Sequence, residues 1–217
     1  NGVTLTSASD ISLNATTSGI SAAGALTLTA PSSITLTGNL TAAGPVDLTA
    51  NSGITLNSNI TTSSSSSLNI DANSSTLSLA SGVVLSSAGA LTLAASNASS
   101  LGNLTLTSTG STVNINSALT STGAVAMTAN SGLNLNNIAL TGAGNITLQG
   151  GTGLTLASGV GITSSAGSIT LGASGGTIAA NGALTLSSNG SITVSNTFTS
   201  AGAATLNANS GISIGTN

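Results

Sequence analysis

The sequence contains no Lys, Arg, His, Cys, Trp or Tyr, and its 217 residues include three acids and one Phe. Each absence removes a class of function. A chain without Lys or Arg has no basic footprint for a phosphate backbone, so nucleic acid is not expected as a partner. Zinc and redox metals lack their soft ligands altogether. A Ser nucleophile needs a general base, and neither His nor Lys is there to supply one. Lack of Cys means only that no disulfide is used, and leaves the compartment open.

The acids are Asp10, Asp47 and Asp71. Glycoside hydrolysis by the usual route takes two carboxylates roughly 5 to 10 Å apart. In the register developed below, Asp10 precedes a second-face strand, Asp47 lies between Val46 and Leu48, and Asp71 follows Ile70. Asp47 and Asp71 are then not stacked neighbours, and all three read as solvated or corner-capping acids. The chain is read as a non-enzyme, with no catalytic, cofactor-binding or metal-binding residue and no cofactor. The calcium pattern Gly-Gly-x-Gly-x-Asp is also missed, because Gly150-Gly151-Thr152-Gly153 runs into Leu154.

Ser, Thr, Asn or Gly interrupts every apolar run well short of the roughly 18 residues of a membrane helix, so no membrane-spanning segment is expected. Low charge with abundant Ser and Gly suggests disorder, but disorder also requires too little apolar surface, and mean hydropathy here is +0.48. No signal-peptide pattern precedes the repeats, which suits a mature product or an internal fragment.

What is present is a repeat. An apolar-x-apolar triplet recurs at Leu26/Leu28, Val46/Leu48, Leu68/Ile70, Leu91/Leu93, Leu104/Leu106, Val125/Met127, Ile146/Leu148, Ile169/Leu171 and Leu184/Leu186. A second follows about eight residues later, at Ile34/Leu36, Ile54/Leu56, Leu77/Leu79, Val113/Ile115, Leu133/Leu135, Leu154/Leu156, Ile192/Val194 and Ile212/Ile214. A third, shorter apolar spot falls at Leu40, Ile60, Val83/Leu85, Leu119, Ile138/Leu140, Val160/Ile162 and Phe198. Period-2 alternation marks strands with one buried face, and the Gly, Asn and Ser between them suit tight corners. Three short strands per repeat predict a triangular coil.

Short strands cannot bury an apolar face alone, but stacking coils about 4.8 Å apart pairs each strand above and below. The fold class expected is therefore all-β: a right-handed parallel β-helix, or β-solenoid, with triangular coils of about 20 residues and roughly 10 coils, forming one domain over residues 1–217. Two stretches, Ala94 to Ser100 and Gly172 to Gly176, read as shortened coils, and Ser63 to Ser67 reads as an outward corner or a flexible loop.

Between the first-series apolar residues stand Thr27, Asp47, Asn69, Thr92, Thr105, Ala126, Thr147, Thr170, Thr185 and Thr205, a partial Thr ladder that raises ice binding as a minor alternative. β-Propensity alone explains Thr at such positions. Asn at corners, as at Asn51, Asn130, Asn189 and Asn209, predicts amide ladders from coil to coil. Eight Asn-x-Ser/Thr triplets, at Asn14, Asn39, Asn59, Asn73, Asn97, Asn103, Asn145 and Asn189, are expected by chance in this composition.

The phrases Gly24-Ala25-Leu26-Thr27-Leu28-Thr29-Ala30, Asn51-Ser52-Gly53-Ile54-Thr55-Leu56 and Gly182-Ala183-Leu184-Thr185-Leu186 resemble the repeat regions of bacterial filamentous haemagglutinin-like exoproteins and giant adhesins. The resemblance implies secretion across the outer membrane, often by two-partner secretion, and a β-helical stalk that holds an adhesive tip away from the cell. It also implies an extracellular or cell-surface location and contact with a host surface or extracellular matrix. No secretion domain or globular tip of that family is seen. Repeats begin by Val3 and persist to Ile214 without a polar cap, so the solenoid is expected to continue past one or both ends or to stack on its own copies. The leading expectation is a structural stalk or filament segment of a surface adhesin, and the alternative is a subunit polymerising end to end into an extracellular fibre, sheath or layer.

Overall fold

The computed structural model describes residues 2–15, 17–136 and 139–215. Among them the chain forms thirty strands of three to five residues and no helix. Every third strand joins the same sheet, so three parallel ten-stranded sheets wind around a common core. Sheet A begins with Val3–Thr6, sheet B with Ile11–Asn14 and sheet C with Ile20–Ala22. Stacked partners are 20 residues apart at Leu26 and Val46 and 24 apart at Leu154 and Ile178, with the variation taken up in the corners. The chain is a β-solenoid of ten triangular coils.

Alternation does what the sequence pattern predicts. Leu26 to Ala30 reads buried, intermediate, buried, intermediate, buried, and Ser33 to Thr37 is its complement. The inward side chains merge into one cluster that runs from Ile11 to Val194. A side chain such as Leu48 or Leu148 has no solvent exposure and rests between the equivalent residues above and below. In a single coil these residues would lie open on two sides, so burial is supplied by stacking and not by any one repeat.

The register departs from the expected one in an orderly way. The first triplet series lies on sheet A through Leu91/Leu93, on sheet C from Leu104/Leu106 to Ile169/Leu171, and on sheet B at Leu184/Leu186. The second series moves from B to A to C, and the third from C to B to A. Ile138 lies outside the described residues. The two supposedly shortened coils are complete. Asn97–Ser100 and Ile178–Ala180 are strands that the triplet search passes over, because Ala and Ser occupy inward positions where Leu was expected.

The side chains that close the strands change along the rod. Several corners carry a large buried side chain on both flanks, as Leu36 and Leu40 or Leu56 and Ile60 do where B meets C. At the corner from B to C, Leu36 and Leu56 close the B strands in the lower coils. From the fifth coil a small residue closes B instead, at Ser100, Ser121, Gly142 and Ser164, while C opens on a large one throughout, from Leu40 and Ile60 to Leu104, Val125, Ile146 and Ile169. At the corner from A to B the closing residue changes likewise, from Leu135 and Leu156 to Ala180, while B carries Leu140, Val160 and Leu184 at its start.

Both changes pass through the same five residues. Leu79-Ala80-Ser81-Gly82-Val83 and Leu156-Ala157-Ser158-Gly159-Val160 each carry a large residue on both flanks of one corner. Gly82 at φ 76° and Gly159 at φ 82° take the left-handed conformation that widens the turn, and their N–H groups donate to Asn103 and Ala183 C=O at 2.9 and 2.8 Å. In the next coil Gly102 and Gly182 lie directly over Ser81 and Ser158, where an added Cβ would fall 2.0 and 2.1 Å from the Ser Oγ.

Small inward hydroxyls finish the corners. Ser108, Ser121, Ser164 and Ser188 are buried, and their Oγ atoms donate to Gly89, Gly102, Gly144 and Gly167 C=O in the coil below at 2.6, 2.6, 2.8 and 2.8 Å. The same oxygens accept from Ser111, Gly123, Gly167 and Gly190 N–H at 3.0 to 3.2 Å, so each joins its own turn to the preceding one. Satisfying turn groups inside an apolar core avoids the 1–3 kcal/mol cost typical of an orphaned buried polar atom. The Ser63 to Ser67 stretch is a corner between C and A: Ser66 is buried, and Ser64 and Ser65 have φ of 57° and 59°.

Replacing Gly159 by Ala is expected to lower the unfolding free energy by about 1–2 kcal/mol, the cost of a left-handed residue with a Cβ. Gly132 lies within a strand with no atom closer than 3.8 Å to an added Cβ, so Gly132→Ala should be neutral or slightly stabilising. Denaturant unfolding of both variants beside the parent chain checks the contrast.

Candidate functional site

The acids do not gather into a site. Asp10 lies just before Ile11–Asn14, and its Oδ1 accepts from Ser33 N–H at 2.9 Å and Ser33 Oγ at 2.7 Å, across to the next coil. The hydroxyl of Ser33, followed by Ser32 and the Ser33 N–H, lowers its pKa from the ordinary 3.8 to about 2. Asp47 and Asp71 occupy adjacent strands of sheet A, Asp47 beside Asn69 and Asp71 beside Thr49. They are thus diagonal on one outward face and not stacked, as the sequence register implied. Asp71 accepts from Asn73 N–H at 2.7 Å and shapes the turn in which Asn73 has φ 49°.

The expected Thr ladder is distributed over three faces. Thr27, Asp47, Asn69 and Thr92 are on sheet A, Thr105, Ala126, Thr147 and Thr170 on sheet C, and Thr185 and Thr205 on sheet B. The array on which ice binding rested is therefore not one surface. A longer column of hydroxyls does lie on sheet B, where Ser12, Thr35, Thr55, Ser78, Ser99, Thr120, Thr141, Thr163 and Ser187 stack in successive coils and Asn207 ends the row. The sequence contained every member, but the column becomes visible only once the two changes of sheet are placed.

Asn residues do form ladders. Asn73 Nδ2 donates to Asn51 Oδ1 at 2.6 Å, Asn134 to Asn114 at 2.8 Å, Asn136 to Asn116 at 2.9 Å and Asn209 to Asn189 at 2.5 Å. Asn130 is tied to the coil below through its backbone, donating to Ser108 C=O at 2.9 Å. A second Asn role, unforeseen from sequence, is the capping of sheet C. Oδ1 of Asn39, Asn59, Asn103 and Asn145 accepts a backbone N–H of the next coil, from Asn59, Val84, Ala124 and Ser168 at 3.2, 2.8, 2.9 and 2.9 Å. Each of the four precedes an inward apolar residue and an outward Thr, which is why all four fall in Asn-x-Thr triplets.

The open grooves run along corners and are lined by backbone and small polar groups. One, of about 780 Å³, is bounded by residues including Thr17, Gly19, Thr37, Gly38, Asn39 and Ser58. Another of about 640 Å³ lies beside Thr107, Thr128, Gln149 and Ser174, with Gln149 Nε2 donating to Ser174 Oγ at 2.8 Å. Among the described residues no three acidic, His or Cys side chains converge in a way that could hold a metal ion, and no helix is long and apolar enough to cross a membrane. This architecture can present a regular polar surface at a fixed pitch.

The fold places the chain among β-solenoid repeat proteins, and both family matches are to repeats. Residues 164–214 match the haemagglutinin repeat. Residues 1–66 match a family described as repeats of unknown function. No curated protein and no solved structure matches the chain. The haemagglutinin match falls on the last three coils, where Gly182-Ala183-Leu184-Thr185-Leu186 carries the resemblance seen in the sequence.

Asp10 sets an acid limit on stability. Its folded pKa lies below the unfolded value near 3.9, so its contribution is fully present above about pH 4 and is lost as pH falls toward 2. The melting temperature is expected to be lower at pH 2 than at pH 4, and Asp10→Asn should reduce that fall. Thermal unfolding of the two proteins across the range checks it.

Proposed function

We propose that this chain is a rigid extracellular stalk or filament segment of a bacterial surface adhesin, providing reach and attachment to a cell surface or matrix. The observation that carries the reading is the continuous three-sheet core, which makes a stiff rod from very short strands and places no converging chemistry on its sides. The haemagglutinin repeat at residues 164–214 supports it, since proteins with such repeats are typically secreted and structural. Ten coils at the ordinary strand spacing extend roughly 50 Å. Length along one axis is what a stalk supplies. Nucleic acid has no complementary charge on this surface.

A second reading, end-to-end polymerisation into a fibre, sheath or layer, is favoured by the terminal coils. Val3 and Leu5 at one end are 47% and 39% exposed, and Ile212 and Ile214 at the other are 48% and 51% exposed. These residues continue the inward columns, and a further coil, from adjoining repeats or from another copy, would bury them.

Cryo-electron microscopy of the native, undissociated material separates the two readings. A stalk gives single rods leading into density of other sequence, whereas a polymer gives an axial repeat of one chain. Compact globular particles would overturn both. Limited digestion offers a second check: ladder-held strands should resist a broad-specificity protease, with the first cut between Ser63 and Ser67, located by mass spectrometry. Rapid cleavage throughout the rod would contradict a durable extracellular element.

A further inference from the structure

Away from the terminal coils, the large apolar side chain turned out to solvent among the described residues is Leu101, at 73% exposure. It follows Asn97–Ser100 of sheet B, in which Asn97 and Ser99 point outward and Ala98 and Ser100 inward, so Leu101 continues the outward row. Its N–H donates to Leu79 C=O at 3.0 Å, and Thr122 N–H donates to Ser100 C=O at 3.0 Å, which seats Leu101 between Ala80 and Thr122. Neither neighbour covers it. Nothing in the solenoid's own packing requires Leu there: the inward residue is Ser100, and the core at that corner is supplied by Leu104.

The surrounding face suits a second copy of this chain. Its central column is the stack of small hydroxyl side chains from Ser12 to Ser187, with no ionisable group in it. Asp10, at its margin, is tied to Ser33. Sheet A differs, because outward Asp47 and Asp71 would place like charges together in a self-contact. With few charges to keep copies apart, association of near-neutral surfaces is favoured. Two copies also share the same rise of about 4.8 Å per coil, so contacts made at one coil recur in step at the next. Ten strands at that spacing, each four or five residues of about 3.3 Å, present roughly 700 Å². That is about one partner's share of a standard specific interface.

We propose that sheet B is a side-to-side association surface for a second copy of this chain, forming an isologous pair in which Leu101 of each rod meets Leu101 of the other at the twofold axis. Leu101 is the apolar anchor of the contact, and the hydroxyl column sets its pitch. The inference is independent of the stalk role: rods that fail to pair could still be stalks, and rods that pair need not be adhesive.

Sedimentation velocity over a concentration series tests it on the full chain, comparing the parent with Leu101→Asp. The parent is expected to show a species of double mass that Leu101→Asp loses, with circular dichroism and melting temperature unchanged because Leu101 lies outside the core. Contacts through the terminal coils would also double the mass, so the position of contact is read by cysteine cross-linking. In a chain without native Cys, Leu101→Cys should form a disulfide-linked dimer on mild oxidation much faster than Thr61→Cys, an exposed outward position on sheet C. The proposal is overturned if the parent stays monomeric, if folded Leu101→Asp still dimerises, or if the two cysteine variants cross-link alike. Should Leu101→Asp not fold, the cysteine pair decides by itself.

Discussion

Everything in this molecule answers to the fixed rise between hydrogen-bonded coils. Parallel strands stack about 4.8 Å apart whatever their side chains, so every coil must fill a triangular layer of that thickness. A layer cannot borrow much volume from its neighbours. Where sheets B and C meet, Leu36 and Leu40 fill the corner together in a lower coil, whereas Ser100 and Leu104 fill it in the fifth. At the corners flanked by Leu36 and Leu40, Leu79 and Val83, and Leu156 and Val160, a left-handed glycine shapes the turn.

The same rise explains the polar chemistry. Turns that stack directly must satisfy backbone groups with whatever lies above and below, and short hydroxyl and amide side chains reach one coil spacing. Ser121 reaches Gly102 C=O from inside the core, while Asn103 receives Ala124 N–H from outside. Long charged side chains have no such task in the ladders. A composition that looks degenerate is therefore close to the minimal set for this geometry: branched and unbranched aliphatics inside, Thr and Ser on outward strand positions, and Asn, Ser and Gly at corners. Asn-x-Thr triplets at Asn39, Asn59, Asn103 and Asn145 follow from corner, inward and outward positions taken in turn.

For function, what matters is that stability is spread along an axis. Each coil is buried by its neighbours, so the rod has no single keystone, and its sides are free to be uniform and polar. That suits an element valued for length and persistence. It also makes the exceptional surface residue informative: in a rod whose lateral face is otherwise small and polar, Leu101 is conspicuous because its own fold makes no use of it.

The sequence by itself determined the all-β class, the three strands per coil and the near-complete inward set, because period-2 burial is a local property. Phrases such as Leu26-Thr27-Leu28 and Leu184-Thr185-Leu186 look alike because each is a half-buried strand, and that much needs no neighbour. Tertiary structure decided which sheet each phrase joins. Weak strands such as Asn97–Ser100 have too little apolar content to be seen in isolation and form because complete ladders lie on both sides of them. Missing them shifts every later strand by one face, which scattered the expected Thr ladder and concealed both the sheet B column and the exposure of Leu101. Face assignment is a property of stacked coils, fixed by register and corner volume, and no single repeat contains it.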